Sequence, residues 1–151
     1  MTDLITERLI ALDVEAGGKL AAIELIADAM QSEGRLVDRD GYVADVLERE
    51  ALIETGIGGE IAIPHTQSPS VQSPTVAYLR LRTAVDWGES GAARHVFGIA
   101  VPDSNADGVH LKILAALARR LLDDGTREVL ERSDSKREIL ESLRVRPEGS
   151  D

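Results

Sequence analysis

The run Val96-Phe-Gly-Ile-Ala-Val101 is the feature that most constrains the fold of this chain. It follows His95, ends at Pro102 and is almost continuously apolar, which is typical of a central strand whose two faces are both covered. Thr75–Arg82 instead alternates a more apolar with a more polar face, which predicts a second strand. Because strands and helices intermix along the chain, we expect an α/β domain with helices on both faces of a small sheet.

Apolar residues at helical spacing and turn residues predict the other elements. The predicted helices are Lys19–Ser32, Asp38–Ile53, Val109–Leu122 (with Asp107 as N-cap), a short Thr126–Glu131 and, after the capping box at Ser135, Lys136–Leu143. The predicted shorter strands are Leu9–Leu12 and Ile61–Ile63; Thr55–Gly59 is a glycine turn, and Gln67–Pro74 and Val85–Gly91 are loops. We expect one domain over residues 1–151, with an ordered core over about residues 4–143 and a flexible tail over 145–151.

Composition excludes several classes of function. Four aromatic residues among 151 leave an aliphatic core and disfavour a base-stacking surface, and a net charge of −10 disfavours nonspecific nucleic-acid binding. The absence of cysteine excludes disulfides, thiolate catalysis and zinc–thiolate sites. A signal peptide and a membrane-spanning run are also missing, which predicts a cytoplasmic protein without direct membrane insertion.

The stretch from Arg49 to Thr66 carries the strongest signal for a functional site. A charged helix end leads through the turn Thr55–Gly59 into a short strand, and the strand stops at Pro64 and delivers His65. His110 opens the Val109 helix, after a loop that follows another strand. Since sites in open α/β sheets form at the carboxyl ends of strands, the two imidazoles could meet there.

A histidine pair without cysteine leaves three chemistries open: metal binding with a carboxylate partner, general acid–base catalysis, and covalent phosphoryl transfer. Phosphoryl transfer needs a neutral nitrogen and donors around the phosphoryl oxygens, which Arg49 and the first amides of the Val109 helix could supply. Each of these polar residues could instead have no role in a site. Arg49 would then form a solvated ion pair, and His95 would lie in the core or at a strand edge. Arg80 and Arg82 would line a solvent-facing strand edge. Residue chemistry alone supports only an α/β domain with a candidate histidine site.

Two separated blocks resemble enzyme IIA domains of the fructose/mannitol type, components of the bacterial phosphoenolpyruvate-dependent sugar phosphotransferase system. The first block comprises Arg49-Glu50, Thr55-Gly-Ile-Gly58 and Ile61-Ala-Ile-Pro-His65; the second comprises Val96–Pro102 and His110-Leu-Lys-Ile-Leu114. The resemblance spans about residues 4–143 and implies a mixed sheet flanked by helices on both sides.

The resemblance also implies the chemistry. Such domains accept a phosphoryl group from the phosphocarrier protein HPr on one histidine and pass it to a cysteine of enzyme IIB, whose membrane partner IIC imports the sugar. His65 corresponds to the phosphorylated histidine, and Arg49 and His110 correspond to the supporting residues. No metal or cofactor is expected, and a fructose-like sugar is implied.

Two alternatives remain beside sugar transport: a regulatory, nitrogen-type enzyme IIA, and a binding module without catalysis, against which the intact Arg49, His65 and His110 argue. One departure from the family pattern is Glu60, which stands where relatives commonly carry glycine. A carboxylate at this position could repel phosphate, point away or pair with Arg49.

Overall fold

A six-stranded sheet forms the centre of the molecule, and its longest strands are the last two in the chain. The structure, a computed structural model, describes residues 3–104 and 108–143. The strands are β1 (Ile10–Val14), β2 (Gly56–Gly58), β3 (Ile61–Ala62), β4 (His65–Ser68), β5 (Thr75–Asp86) and β6 (Ala92–Pro102). The helices are α1 (Lys19–Ser32), α2 (Arg39–Leu52), α3 (Val109–Leu121), α4 (Asp124–Arg132) and α5 (Lys136–Leu143), with a 3-10 turn at Glu7–Leu9.

The order of the strands confirms the mixed sheet. It runs β1-β5-β6-β3-β2, and β4 pairs with β6 further along the same edge as β3. β5 and β6 are antiparallel, whereas β1 is parallel to β5, and β3 and β4 are both parallel to β6. The register of β4 sets His65 opposite Ile99, close to the carboxyl end of β6.

Helices cover both faces of the sheet, as the central apolar run predicts. On one face, α1 and α2 pack on side chains such as Leu79 and Val96; on the other, α3, α4 and α5 pack on Tyr78 and Phe97. Alternate residues of β5 and β6 therefore enter different cores, which is the expected result of the two-residue period of a strand. Within the described residues, none of the helices is long and apolar enough to cross a membrane.

The predicted helices are confirmed, but the short strands around His65 were predicted less well. α1 and α5 have the predicted bounds, and the other helices differ by at most two residues at each end. Gln67 and Ser68, expected in a loop, extend β4; the expected glycine turn contains β2; and β5 continues to Asp86. β4 gains its hydrogen bonds from β6, which is distant in sequence. β2 and the end of β5 pair across short connections, with β3 and with the start of β6, and their glycine and polar residues did not indicate strands. The predicted N-cap Asp107 and the predicted tail over 145–151 lie outside the described residues.

Arg80 corrects one prediction, because it is buried rather than solvent-facing. Its residue exposure is 2%, and its Nε and Nη2 atoms each donate to the Asp13 carboxylate at 3.0 Å. Its Nη1 donates to the carbonyls of Leu130, at 2.9 Å, and Ser133, at 2.7 Å. Arg82, by contrast, is exposed as predicted.

Candidate active site

His65 is held through its backbone and through one ring nitrogen. It opens β4 directly after Pro64, whose carbonyl accepts a hydrogen bond from the Ile99 amide at 3.0 Å. The ring is half-buried, and its Nδ1 lies 2.8 Å from the carbonyl oxygen of Ile63. Because a carbonyl can only accept, this contact requires the proton on Nδ1, and the neutral ring then carries its lone pair on Nε2.

Arg49 lies in the last turn of α2, at the start of the segment that leads to His65. Its Nη1 donates to the carbonyl of Ile53 at 3.2 Å, and the residue is half-buried. After Ile53 the chain turns back toward the sheet, and the Thr55 carbonyl accepts from the Ile63 amide at 3.0 Å. This bond ties the segment that follows Arg49 to the residue whose carbonyl orients the His65 ring.

His110 is the second residue of α3, which follows β6 in the chain. β4, which begins at His65, pairs in parallel with β6. The segments that carry His65 and His110 are therefore both connected to β6, one by strand pairing and the other along the chain. The side chain of His110 lies outside the described part of the structure. The meeting of its imidazole with that of His65 therefore stays a prediction.

A buried polar cluster under the Arg49–His65 segment was not predicted. Glu50, 5% exposed, accepts from the Thr55 amide at 3.2 Å and from the Thr55 hydroxyl, and it forms an ion pair with Lys19 Nζ at 2.8 Å. Trp87 Nε1 donates to the Thr55 hydroxyl oxygen at 3.3 Å, and Lys19 Nζ lies 5.3 Å from the centre of the Trp87 ring. The cluster thus joins the start of α1, the end of α2 and the end of β5.

The sequence did contain a signal for the burial of Glu50. Val43 and Val46 are buried on the apolar face of α2, and Glu50 follows them at i+7 and i+4, on the same face. A glutamate on a buried stripe has to be paired, and Lys19 supplies the charge. The helical period could therefore have shown that Glu50 is buried and does not form a solvated ion pair with Arg49.

Glu60 occupies a backbone conformation that favours glycine. Its φ is +64°, in the left-handed region, and its side chain is exposed. Its carbonyl accepts from the amides of both Arg94, at 2.8 Å, and His95, at 2.9 Å, so the turn between β2 and β3 is fixed against β6. Glycine, which the family resemblance leads us to expect at this position, would adopt this conformation without strain, whereas Glu60 is strained there.

His95 is a core residue, which is one of the two positions, core or edge, that the sequence predicted for it. It is 5% exposed, its Nδ1 lies 2.6 Å from the Tyr78 hydroxyl, and its Nε2 lies 2.8 Å from the Glu131 carboxylate. Burial lowers the pKa of His95, and the hydrogen bond to Glu131 opposes this only in part. Burial raises the pKa of Glu131, but His95 and Arg94 together outweigh it and leave that pKa below its usual range.

A cavity of about 400 Å³ lies beside this core histidine and not at His65. It is lined by residues of the β2–β3 turn and of α4, among them Gly59, Ile61, Arg127 and Glu131. Within residues 3–104 and 108–143 there is also no group of three or more His, Asp or Glu side chains suited to a metal ion.

Comparison with known proteins decides the family. The family model described as "Phosphoenolpyruvate-dependent sugar phosphotransferase system, EIIA 2" matches residues 3–145. The chain belongs to this family. It is therefore a phosphotransferase component of that system, and the resemblance expected from the two sequence blocks is confirmed.

Individual relatives of this enzyme IIA agree with the assignment. The fructose-specific EIIA component of Haloferax volcanii is 36% identical over 137 residues, covering 89% of this chain and 88% of that protein. The fructose-specific EIIABC component of Bacillus subtilis is 31% identical over 144 residues, which are 95% of this chain but 23% of that longer protein.

Solved structures of two kinds of enzyme IIA resemble the fold about equally. The mannitol IIA of Escherichia coli matches with a TM-score of 0.78 and 28% identity, over 93% of this chain and 99% of that one. The nitrogen regulatory protein IIA-Ntr of Neisseria meningitidis matches with a TM-score of 0.79 and 28% identity, over 93% of this chain and 97% of that one.

Proposed function

We propose that this enzyme IIA accepts a phosphoryl group from phospho-HPr on Nε2 of His65 and passes it to an enzyme IIB of a fructose-like sugar system. The observation that carries the proposal is the 2.8 Å contact between His65 Nδ1 and the Ile63 carbonyl. It favours the tautomer whose lone pair is on Nε2, which is the form that can attack phosphorus.

The transfer balances without loss of a proton from His65. The Nε2 lone pair forms a bond to phosphorus while the phosphorus–nitrogen bond of phospho-HPr breaks and its electron pair returns to the HPr imidazole. The His65 ring keeps its proton on Nδ1 and becomes cationic, and the Ile63 carbonyl stabilises that charge. In the second step a cysteine thiolate of enzyme IIB attacks phosphorus, and the electron pair of the breaking bond returns to Nε2.

Arg49 and His110 are proposed as donors to the transferring group. The guanidinium of Arg49 can contact two phosphoryl oxygens at once, and its half-buried position limits competition from water. The proposal for His110 rests on its place in the first turn of α3, where backbone amides also favour an anion.

Several large apolar side chains within eight residues of the proposed site residues are exposed. Leu52 (76% exposed) and Ile53 (68%) follow Arg49, Ile57 (56%) precedes His65, and Leu111 (60%) is adjacent to His110. Exposed apolar side chains that gather into one patch are typical of a docking surface for a protein partner. They support a docking surface around the site, with HPr and enzyme IIB as successive occupants.

The direct test is phosphorylation by phosphoenolpyruvate, enzyme I and HPr, followed by intact-mass measurement. The wild-type chain should gain one phosphoryl group, and H65A should gain none. R49Q should be slower by roughly 100-fold or more, because it loses the charged donor. The matched control R82Q, at an exposed arginine, should react at the wild-type rate. Label on H65A would refute the assignment of the site.

A regulatory role is the second candidate, because the nitrogen regulatory IIA-Ntr resembles this structure as closely as mannitol IIA does. The two roles differ in the fate of the phosphoryl group. A transport component should pass the group to a fructose-type IIB, whereas a regulatory protein should retain it and bind a partner in only one phosphorylation state. Adding candidate IIB proteins to the phosphorylated chain and measuring both masses distinguishes the two.

A further inference from the structure

We propose that Glu50 is a positioning residue that sets the tautomer and orientation of His65 through a chain of three hydrogen-bonded links. The inference rests on the proposed role of His65 as the phosphoryl acceptor. It assigns a task to a buried carboxylate that does not itself touch the transferring group.

The first link is the anchoring of Thr55 by Glu50. One carboxylate oxygen accepts from the Thr55 amide at 3.2 Å and the other accepts from the Thr55 hydroxyl, so the side chain grips the residue at two points. Glu50 and Thr55 are 5% and 7% exposed, which keeps water from replacing either bond. Two bonds to a charged acceptor in a buried site are stronger than neutral ones and leave Thr55 little freedom.

The second and third links carry this restraint to the ring. The Thr55 carbonyl accepts from the Ile63 amide at 3.0 Å, and the Ile63 carbonyl lies 2.8 Å from His65 Nδ1. Fixing Thr55 therefore holds the Ile63 amide, which is joined through the Ile63 Cα to the carbonyl that contacts the ring. The direction of that carbonyl determines which ring nitrogen keeps the proton. Outer partners of this kind commonly set the tautomer and the basicity of a functional histidine.

Lys19 and Trp87 hold the carboxylate in place. Lys19 Nζ, 2.8 Å from Glu50, balances its charge, and it also lies over the Trp87 ring at 5.3 Å. Trp87 Nε1 donates to the Thr55 hydroxyl oxygen at 3.3 Å, which leaves the hydroxyl hydrogen for Glu50. A buried charge held by so many contacts is costly to assemble, and a purely structural contact at this point could be apolar. The retained carboxylate is better explained by its effect on the segment that ends at His65.

Glu50 also adjoins Arg49 in the chain, so one carboxylate restrains both sides of the proposed site. The Arg49 guanidinium donates to Ile53, which lies between Glu50 and Thr55. The bonds between Glu50 and Thr55 close this short loop, and the closed loop holds the Ile53 carbonyl to which the Arg49 guanidinium donates. The same grip therefore orients the nucleophile and limits the movement of its cation.

The test compares the His65 tautomer and the transfer rate in E50Q and T55V with those in the matched control E54Q. Gln at position 50 removes the charge, and Val at position 55 removes the hydroxyl. Glu54 lies in the same turn and approaches the same Lys19 at 3.9 Å, but it is 40% exposed and it accepts from the Glu89 amide rather than from Thr55. Two-bond nitrogen–proton NMR correlations of the neutral ring report the tautomer directly in the unphosphorylated protein.

Wild type and E54Q should show the His65 proton on Nδ1, and E50Q and T55V should show a larger Nε2–H fraction. Their rates of phosphorylation by phospho-HPr should fall by roughly 10- to 100-fold. T55S retains the hydroxyl and should restore both readouts. Should E50Q fail to fold, T55V against T55S decides the question alone.

A wild-type tautomer in the folded E50Q and T55V proteins would overturn the inference, even if their rates fell, because the cluster would then be merely structural. The tautomer is read without any phosphoryl donor, so this result is separate from the fate of the proposed function. Failure of the proposed function would appear in a different experiment, as phosphorylation of H65A.

Discussion

At the scale of single residues, Glu60 has a residue type that is unfavourable for the backbone conformation it adopts. A φ of +64° costs a residue with a Cβ about 1–2 kcal/mol, whereas glycine adopts it freely but loses more entropy on folding. E60G should therefore raise the free energy of unfolding by about 0.5–1 kcal/mol. Urea denaturation measures the difference. E60A removes the carboxylate but keeps the Cβ, so it should give no gain; equal gains would assign the effect to charge.

The residue scale also shows what a sequence can reveal about this site. Gly56 and Gly58 predict a turn by their residue type but lie in β2, and the turn follows at Gly59 and Glu60. Pro64 correctly marks the break after β3, and His65 begins β4. Glu60 gives no such sign, since glutamate is not typical of left-handed backbone, and only the comparison with the family pattern marks the position. The burial of Glu50 could have been predicted from its spacing along α2, but its partners could not, because they come from outside that helix.

At the scale of elements, the contact between β6 and α4 contains a histidine whose charge state is coupled to folding. Burial lowers the pKa of His95 below the roughly 6.5 of the unfolded chain, so the unfolded state binds the proton more readily. The folded state should therefore lose stability as pH falls below about 6.5 and regain it as pH rises. The groups facing the ring are Tyr78 and Glu131, with Arg94 and Glu60 nearby.

The variant H95Q tests this coupling. Free energies of unfolding measured from about pH 7.5 to about pH 5 should fall less steeply in H95Q than in the wild-type chain, whatever the absolute stability of the variant. Equal slopes would show that His95 titrates alike in the folded and unfolded states. The low pKa of Glu131 acts in the same direction but at lower pH, since its contribution is lost as the folded carboxylate becomes protonated.

Elements differ in how far the sequence determines them. α1 and α5 were predicted to the residue because helix periodicity and capping are local properties; the Ser135 hydroxyl indeed accepts from the Glu138 amide at 3.1 Å. β2 and β4 have three and four residues and exist through pairing with β3 and β6. β4 depends on a strand that is distant in sequence, whereas β2 pairs with the neighbouring β3 but is made of glycines and one isoleucine, which indicate a turn more readily than a strand.

At the scale of the whole molecule, Arg80 joins parts of the chain that are far apart in sequence. Its guanidinium binds Asp13 at the end of β1 and the carbonyls of Leu130 and Ser133 at the end of α4. A single buried side chain thus links one edge of the sheet to the helical layer on one face. Strand alternation placed this arginine on the polar side of β5, but the later helices that cover that face were beyond the reach of the local pattern.

Replacing Arg80 tests how much this link contributes. R80A removes the donor of the Ser133 carbonyl and of the Asp13 carboxylate, and it leaves the Leu130 carbonyl only its 3.3 Å hydrogen bond from the Tyr78 hydroxyl, so the free energy of unfolding should fall by about 3 kcal/mol. R80K retains the charge but not the planar fork, and it should recover only part of that loss. The matched control R82A removes an arginine two residues along the same strand that is 66% exposed and 3.9 Å from Glu15; its effect should stay within about 0.5 kcal/mol. Chemical denaturation of the three variants decides the matter, since similar losses in R80A and R82A would mean that the buried fork adds nothing beyond its charge.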